Sequence, residues 1–173
     1  MKKILLSAFL FCLINTLNAQ QIALNFESFP GIAYRGGSNY FYGGGGFEMT
    51  YQHDFKEGRI RGGLEYRMID WGNQIGLNAA YNHPYFVRNA WRISGTSGLQ
   101  LGLALFRQGP LFVYGLEYSP EVEWQSGKRF FANASLGLRY THSPAYRSYG
   151  LINSVLELPV RIGFGFRLGK EIK

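Results

Sequence analysis

The chain has 173 residues, of which 17% are charged and 17% aromatic, with 23 glycines and a formal net charge of +7. The length fits a single domain. The basic residues are spread singly along the chain, which excludes the basic cluster typical of a nucleic-acid-binding protein, so no nucleic acid partner is expected. The glycine and aromatic content is instead typical of a membrane β-barrel.

Residues 1–19 have the features of a secretory signal peptide. Two lysines precede an apolar run over residues 4–14, and the segment ends at Ala19. The run is too short to span a bilayer as a retained anchor, so we expect cleavage after Ala19. Residues 20–173 then form the mature domain, with a net charge of +5 once the two lysines are removed from +7. Cys12 is the only cysteine, and its removal leaves no disulfide or thiol chemistry.

The rest of the chain consists of runs in which apolar and polar residues alternate, the pattern of strands with two different faces. Segments rich in Gly, Pro, Ser and Asn separate the runs. We predict an all-β fold, an eight-stranded antiparallel up-and-down transmembrane barrel with both termini at its periplasmic end. In chain order the predicted strands cover residues 22–29, 40–55, 59–69, 74–82, 91–106, 111–124, 130–142 and 151–168.

Alternation alone does not say which face is inside, because a soluble eight-stranded ligand carrier has the same period. Three features favour the membrane. The charged strand positions are Arg and Glu rather than Lys, the polar faces are rich in glycine as a narrow lumen requires, and aromatic residues gather near strand ends as two girdles. The predicted periplasmic girdle is Phe55, Tyr85, Trp91, Trp124 and Phe130, and the outer girdle is Phe29, Phe41, Trp71, Tyr140, Tyr146 and Tyr149.

The polar faces carry seven acidic and seven basic residues, and buried charges persist only when they are paired. We therefore predict a lumen ion network. An ion path is one interpretation, but a filled core is favoured because eight strands leave little room for water. The predicted network contains Glu27, Glu48, Glu65, Glu117, Glu121, Glu123 and Glu157 together with Arg59, Arg61, Arg67, Arg92, Arg139, Arg161 and Arg167.

The signal peptide, the eight amphipathic runs, the short turns and the final strand over residues 160–168, entered through Leu158 and Pro159, resemble a known family. They are similar to the small outer-membrane β-barrel proteins of Gram-negative bacteria, of the OmpA/OmpX type. The resemblance implies location in the outer membrane, contact with outer-membrane lipid and lipopolysaccharide, and insertion by the barrel insertion machinery. A partner of the extracellular loops is expected but not identified.

Some eight-stranded barrels modify lipid A, and the deacylases among them use a His, a Ser two residues later and a Glu about a dozen residues on. His142, Ser143 and Glu157 are the candidate residues here. Pro144 stands where that pattern has the serine, and parity places His142 and Glu157 on opposite faces. His53 and His83 lie at the other end of the barrel, so we expect no metal site, and no cofactor motif is present.

The leading interpretation is a non-enzymatic, porin-like integral barrel with a structural or surface-interaction role carried by its loops. The alternatives are a deacylase-like enzyme acting on lipid A, and a narrow pore or accessory subunit of an envelope complex.

Overall fold

The computed structural model describes residues 20–35, 38–70, 72–106, 109–127, 129–144 and 151–168. The predicted signal peptide lies outside these residues. The described residues contain no helix that is long and apolar enough to cross a membrane. The strand segments are β1 (Gln20–Arg35), β2 (Ser38–Phe55), β3 (Gly58–Ile69), β4 (Gly72–Arg88), β5 (Trp91–Phe106), β6 (Gly109–Ser126), β7 (Phe130–Leu136), β8 (Leu138–His142), β9 (Leu151–Glu157) and β10 (Val160–Arg167).

The strand segments close into one antiparallel barrel. Each of β1 to β6 pairs with the next along the chain. Segments β7 and β8 together line β6, and β9 and β10 together line β1, while β7 pairs with β10 and β8 with β9. Segments β7 and β8 are therefore one strand, the seventh, and β9 and β10 are the eighth, each with one interruption. The predicted eight-stranded antiparallel barrel is confirmed.

The interruptions in the last two strands lie side by side. The N–H of Gly137 donates to the carbonyl of Pro159 at 2.7 Å, and the N–H of Leu158 donates to the carbonyl of Pro30 at 3.0 Å. Neither proline has an N–H to give to a ladder. The two positions without a backbone N–H, Pro30 and Pro159, therefore lie close together in the wall.

Several strands are longer than predicted. The predicted end of the first strand at residue 29 is wrong, since β1 continues through Pro30 and pairs with β2 until Arg35 opposes Ser38. The predicted end of the fourth strand at residue 82 is also too early, because β4 runs to Arg88 with a bulge between Pro84 and Phe86. The turns that follow β2 and β4 are tight, with positive φ values of 54° at Lys56 and 53° at Asn89.

The two faces of the wall agree with the predicted alternation. Leu99 and Leu116 oppose each other on the outside and are each 58% exposed, whereas Gln100, between outward leucines, is 7% exposed. Charged and amide side chains fill the inside. An apolar exterior around a polar interior is the reverse of a water-soluble protein and matches a barrel surrounded by lipid.

Candidate functional site

Arg139 lies at the centre of the lumen and is shared by four carboxylates. Its Nε is 2.8 Å from Glu117, and its Nη2 is 2.6 Å from Glu27. Its Nη1 is 3.4 Å from Glu157 and 3.6 Å from Glu65. The side chain is buried, so these ion pairs take the place of water around the guanidinium.

Two further arginines, from β3 and β10, reach the same carboxylates. Arg67 lies 2.5 Å from Glu157, 3.3 Å from Glu27 and 3.1 Å from Glu65. Arg161 lies 2.6 Å from Glu27 and also pairs with Glu117. With Glu48, 3.9 Å from Arg161, these side chains form what we call the central cluster. Its members are Arg67, Arg139, Arg161, Glu27, Glu48, Glu65, Glu117 and Glu157.

Neutral side chains add hydrogen bonds to the carboxylates of the central cluster. Asn25 and Asn78 both donate to Glu48, the former at 2.9 Å. Gln100 donates to Glu65 at 2.8 Å, and the Tyr42 hydroxyl donates to Glu157 at 2.8 Å. These partners come from β1, β2, β4 and β5, so the cluster ties together strands that are far apart in the sequence.

A second group of charges, the basal cluster, lies nearer the end of the barrel that carries Gln20, here called the N-terminal end. Arg61 is 2.7 Å from Glu121. Arg59 pairs with Glu123, and Arg167 lies 3.3 Å from the same carboxylate.

Two residues of the basal region differ from the predicted network. Asp54, which the alternation did not identify, lies 3.2 Å from Arg59 and is partly exposed. Arg92 forms no ion pair within 4 Å among the described residues; it donates to Asn82 at 3.3 Å. The structure therefore brings six of the seven predicted arginines into direct ion pairs.

The lumen at the far end, opposite Gln20, is apolar. A buried group that we call the far-end plug fills it. The assignment of Phe29 to the outer girdle was wrong: Phe29 is 1% exposed inside the lumen, and its ring centroid lies 4.1 Å from the Arg67 guanidinium. The plug consists of Phe29, Ala33, Tyr42, Ile69 and Val155.

A small cavity lies between the charged layers. The cavity beside Glu48, Glu65 and Arg61 has a volume of about 30 Å³, the room of roughly two water molecules at about 10–15 Å³ each. Gln100 and Arg161 also line it. A cavity of this size separates the central and basal clusters without providing a wide passage.

The three residues of the deacylase hypothesis are not brought together. Glu157 lies inside the lumen against Arg67. Ser143 is buried and donates to the carbonyl of Phe112 at 2.8 Å. His142 lies on the outer surface, where its ring is 5.0 Å from that of Tyr114. Within the described ranges no three His, Cys, Asp or Glu side chains are grouped so as to hold a metal ion.

Sequence reasoning missed the partner of His142 on the outer surface. Nδ1 of His142 lies 2.9 Å from Oγ of Ser154, which in turn lies 2.6 Å from the hydroxyl of Tyr140. The even numbering of all three residues, which places them on the outward face, was the available signal. Their contact depends on the register of β8 against β9, where His142 opposes Ser154.

No family description and no curated protein sequence matches the chain. Among solved structures the fold is similar to that of Neisserial surface protein A, with a TM-score of 0.56 and 9% identity over 84% of this chain and 96% of that one. It is also similar to Ail, the attachment invasion locus protein of Yersinia pestis, with a TM-score of 0.53, 14% identity and coverages of 87% and 99%. A third similar structure is that of the outer-membrane protein OprG of Pseudomonas aeruginosa. Its TM-score is 0.52 and its identity is 10%, over 88% of this chain and 97% of that one. The chain therefore has the fold of the small outer-membrane β-barrels.

Proposed function

We propose that the chain is an integral protein of the Gram-negative outer membrane with a sealed lumen, and that its role is structural or surface-directed rather than catalytic. The observation that carries this proposal is the filling of the lumen. The central cluster, where Arg139 alone touches four carboxylates, lies below the apolar far-end plug. Both would have to move for ions to pass.

The outer wall supports location in a membrane. Large apolar side chains cover it, and aromatic residues lie outward near the N-terminal end of the barrel, among them Tyr85, 59% exposed, and Trp91, 50% exposed. The rings of Trp91 and Trp124 are 6.5 Å apart on neighbouring strands. Tyr and Trp prefer the membrane–water interface, so this end would lie at the periplasmic headgroups.

The far end would then face the cell exterior and carry any surface interaction. Ail, which shares the fold, is an attachment invasion locus protein and was crystallised with the heparin analogue sucrose octasulfate. This precedent supports a surface-interaction role. We further propose lipopolysaccharide as the lipid neighbour and the barrel insertion machinery as the route into the membrane.

Planar-bilayer recording of the purified protein tests the sealed lumen. We expect no conductance steps under conditions in which a trimeric porin, inserted into the same bilayer, gives regular ones. Density fractionation of the envelope should place the protein with the outer membrane. Regular steps that disappear on heat denaturation would contradict the proposal and favour the narrow pore.

The deacylase alternative has its own test. We expect His142→Ala, and deletion of the whole gene, to leave the lipid A mass spectrum unchanged, because Glu157 and His142 lie on opposite sides of the wall. Loss of an acyl chain from lipid A on overexpression of the wild type, abolished by His142→Ala, would establish the enzyme.

A further inference from the structure

Three polar side chains form an outward-facing group at the far end of the barrel, here called the rim triad: Tyr140, His142 and Ser154. Ser154 Oγ joins the other two, at 2.9 Å from Nδ1 of His142 and 2.6 Å from the hydroxyl of Tyr140. No described residue hydrogen-bonds to Nε2 of His142. Beside the apolar outer side chains of β6, this group presents a nitrogen and hydroxyls near the end of the barrel that would face the cell exterior.

An apolar groove leads away from the rim triad along β6. It has a volume of about 320 Å³ and is lined by side chains of β5, β6 and β8. Tyr140 belongs to both the groove and the triad, so the two are continuous. The side chains that line this β6 groove on the outside are Leu99, Leu101, Phe112, Tyr114, Leu116 and Tyr140.

The strand register explains why the polar and apolar parts meet. On neighbouring strands, Tyr114 of β6 opposes His142 of β8, and His142 opposes Ser154 of β9. One pair nearer the middle of the wall, Leu116 opposes Tyr140. A chain lying in the groove beside Leu116 would therefore end at the rim triad.

We propose that the rim triad and the β6 groove bind one lipid molecule of the outer leaflet, with an acyl chain in the groove and an oxygen of its phosphorylated headgroup accepting from Nε2–H of His142. In this arrangement Tyr140 donates to Ser154, and Ser154 donates to Nδ1 of His142, which leaves the proton on Nε2. This site rests on the proposed function, since it takes the far end to be the outer surface. Burial of a chain against Leu99 and Leu116 supplies apolar contact, and the triad supplies the directional contacts that an ordinary boundary lipid lacks.

The barrel contains a matched control for the groove. A second outward groove, of about 340 Å³, lies beside Met49, Leu64 and Leu77. It has similar size and apolar lining, but the rim triad is on another part of the wall. If size and apolar character were sufficient, both grooves would retain a lipid equally well.

Native mass spectrometry of the refolded full-length mature protein in detergent micelles, with purified lipid A as the probe, tests the proposal. We expect one lipid A adduct on the wild type. The double variant His142→Phe with Ser154→Ala, and separately the groove variant Leu116→Trp, should each lower the occupancy about tenfold, the effect of losing a charge-assisted hydrogen bond or the chain site. His83→Phe and Leu64→Trp are the controls and should bind as the wild type does. Heat-dependent mobility checks that every variant is folded.

Equal loss of the adduct in the control variants, or no adduct on the folded wild type, would overturn the proposal. An adduct lighter by one acyl chain would also overturn it, because the site would then be catalytic rather than a binding site. The failure of the proposed function is distinguishable: it would appear in envelope fractionation and bilayer recording, whereas lipid binding is measured on the purified protein.

Discussion

At the scale of single residues, the central cluster contains fewer basic than acidic side chains. Three guanidiniums, those of Arg67, Arg139 and Arg161, serve five carboxylates. Each arginine is therefore shared, and removing one leaves several buried carboxylates without their counter-charge. Removing one carboxylate has a smaller effect, because its guanidinium partners keep others.

We predict that Arg139→Met lowers the free energy of unfolding by about 3–5 kcal/mol, the usual cost of breaking a buried ion pair from one side. Glu65→Gln should cost less than about 1.5 kcal/mol, because an amide oxygen can still accept from Gln100. Urea unfolding in phospholipid vesicles, followed by tryptophan fluorescence, measures both. Arg92→Met is the control, since the only described partner of Arg92 is Asn82. Equal losses for Arg92→Met and Arg139→Met would count against a shared central arginine.

At the scale of strands, the interruption at Gly137 is set by close approach. A Cβ at this position would overlap Oγ of Ser119 and lie 3.0 Å from Cγ of Pro159. Any other residue would push β8 away from the break beside Pro159. Gly62, on β3, has the opposite surroundings, since the nearest atom to a Cβ placed there is the carbonyl oxygen of Asn78, at 4.0 Å.

We expect Gly137→Ala to destabilise the barrel by about 1–3 kcal/mol, the usual cost of overpacking, and Gly62→Ala to be near neutral. The same urea titration compares them. Similar midpoints for the two variants would mean that the seventh and eighth strands can part at the break without loss.

The outer faces of β4 and β5 give a second prediction at this scale. Leu99 lies halfway along β5, whereas Phe86, which opposes the outward Ile93, lies near the N-terminal end of the barrel on β4, and both are exposed. An arginine on the lipid face costs about 2–4 kcal/mol at the bilayer midplane and about 0–1 near the interface. Leu99→Arg should therefore impair assembly into vesicles far more than Phe86→Arg, as measured by the folded fraction. Equal tolerance of both would place water rather than lipid around the wall.

At the scale of the whole molecule, closure satisfies the backbone of every strand without an open edge. We predict that unboiled protein in SDS migrates differently from boiled protein, because the closed barrel resists the detergent until it is heated. Circular dichroism of the unboiled sample should be that of β-structure. Identical mobility with a helical spectrum would contradict the fold.

The closed barrel could be predicted from sequence because the period of two assigns every strand residue to one of two faces. The predictions were wrong where a residue was assigned by its position near a strand end or by its residue type, rather than by whether its number is odd or even. Phe29 was placed in a girdle for its position near a strand end, although it is odd-numbered like Asn25 and Glu27, which lie inside. The first strand is predicted to end just before Pro30, although the strand continues through this proline, whose missing N–H lies beside the break at Leu158.

The candidate sites were less accessible to sequence reasoning, because they depend on register and on distances across the lumen. Arg59 and Glu123 are 64 residues apart and meet only in the closed barrel. The contact of His142 with Ser154 requires the pairing of β8 with β9, which are joined by a connection whose length says nothing about register. Residue type and alternation predicted which side chains belong to the lumen network, but not which of them pair with each other.

Spin-label scanning of β5 tests the central claim, that the apolar face meets lipid and the polar face is sealed inside. The mature chain would contain no cysteine, since Cys12 lies in the predicted signal peptide, so single cysteines can be introduced in turn at residues 99–105. In liposomes, labels at Leu99, Leu101, Leu103 and Leu105 should collide readily with oxygen, while those at Gln100, Gly102 and Ala104 should be shielded from oxygen and from a water-soluble nickel complex. Frequent collision of the leucine positions with the nickel complex, or loss of the two-residue period, would contradict the account.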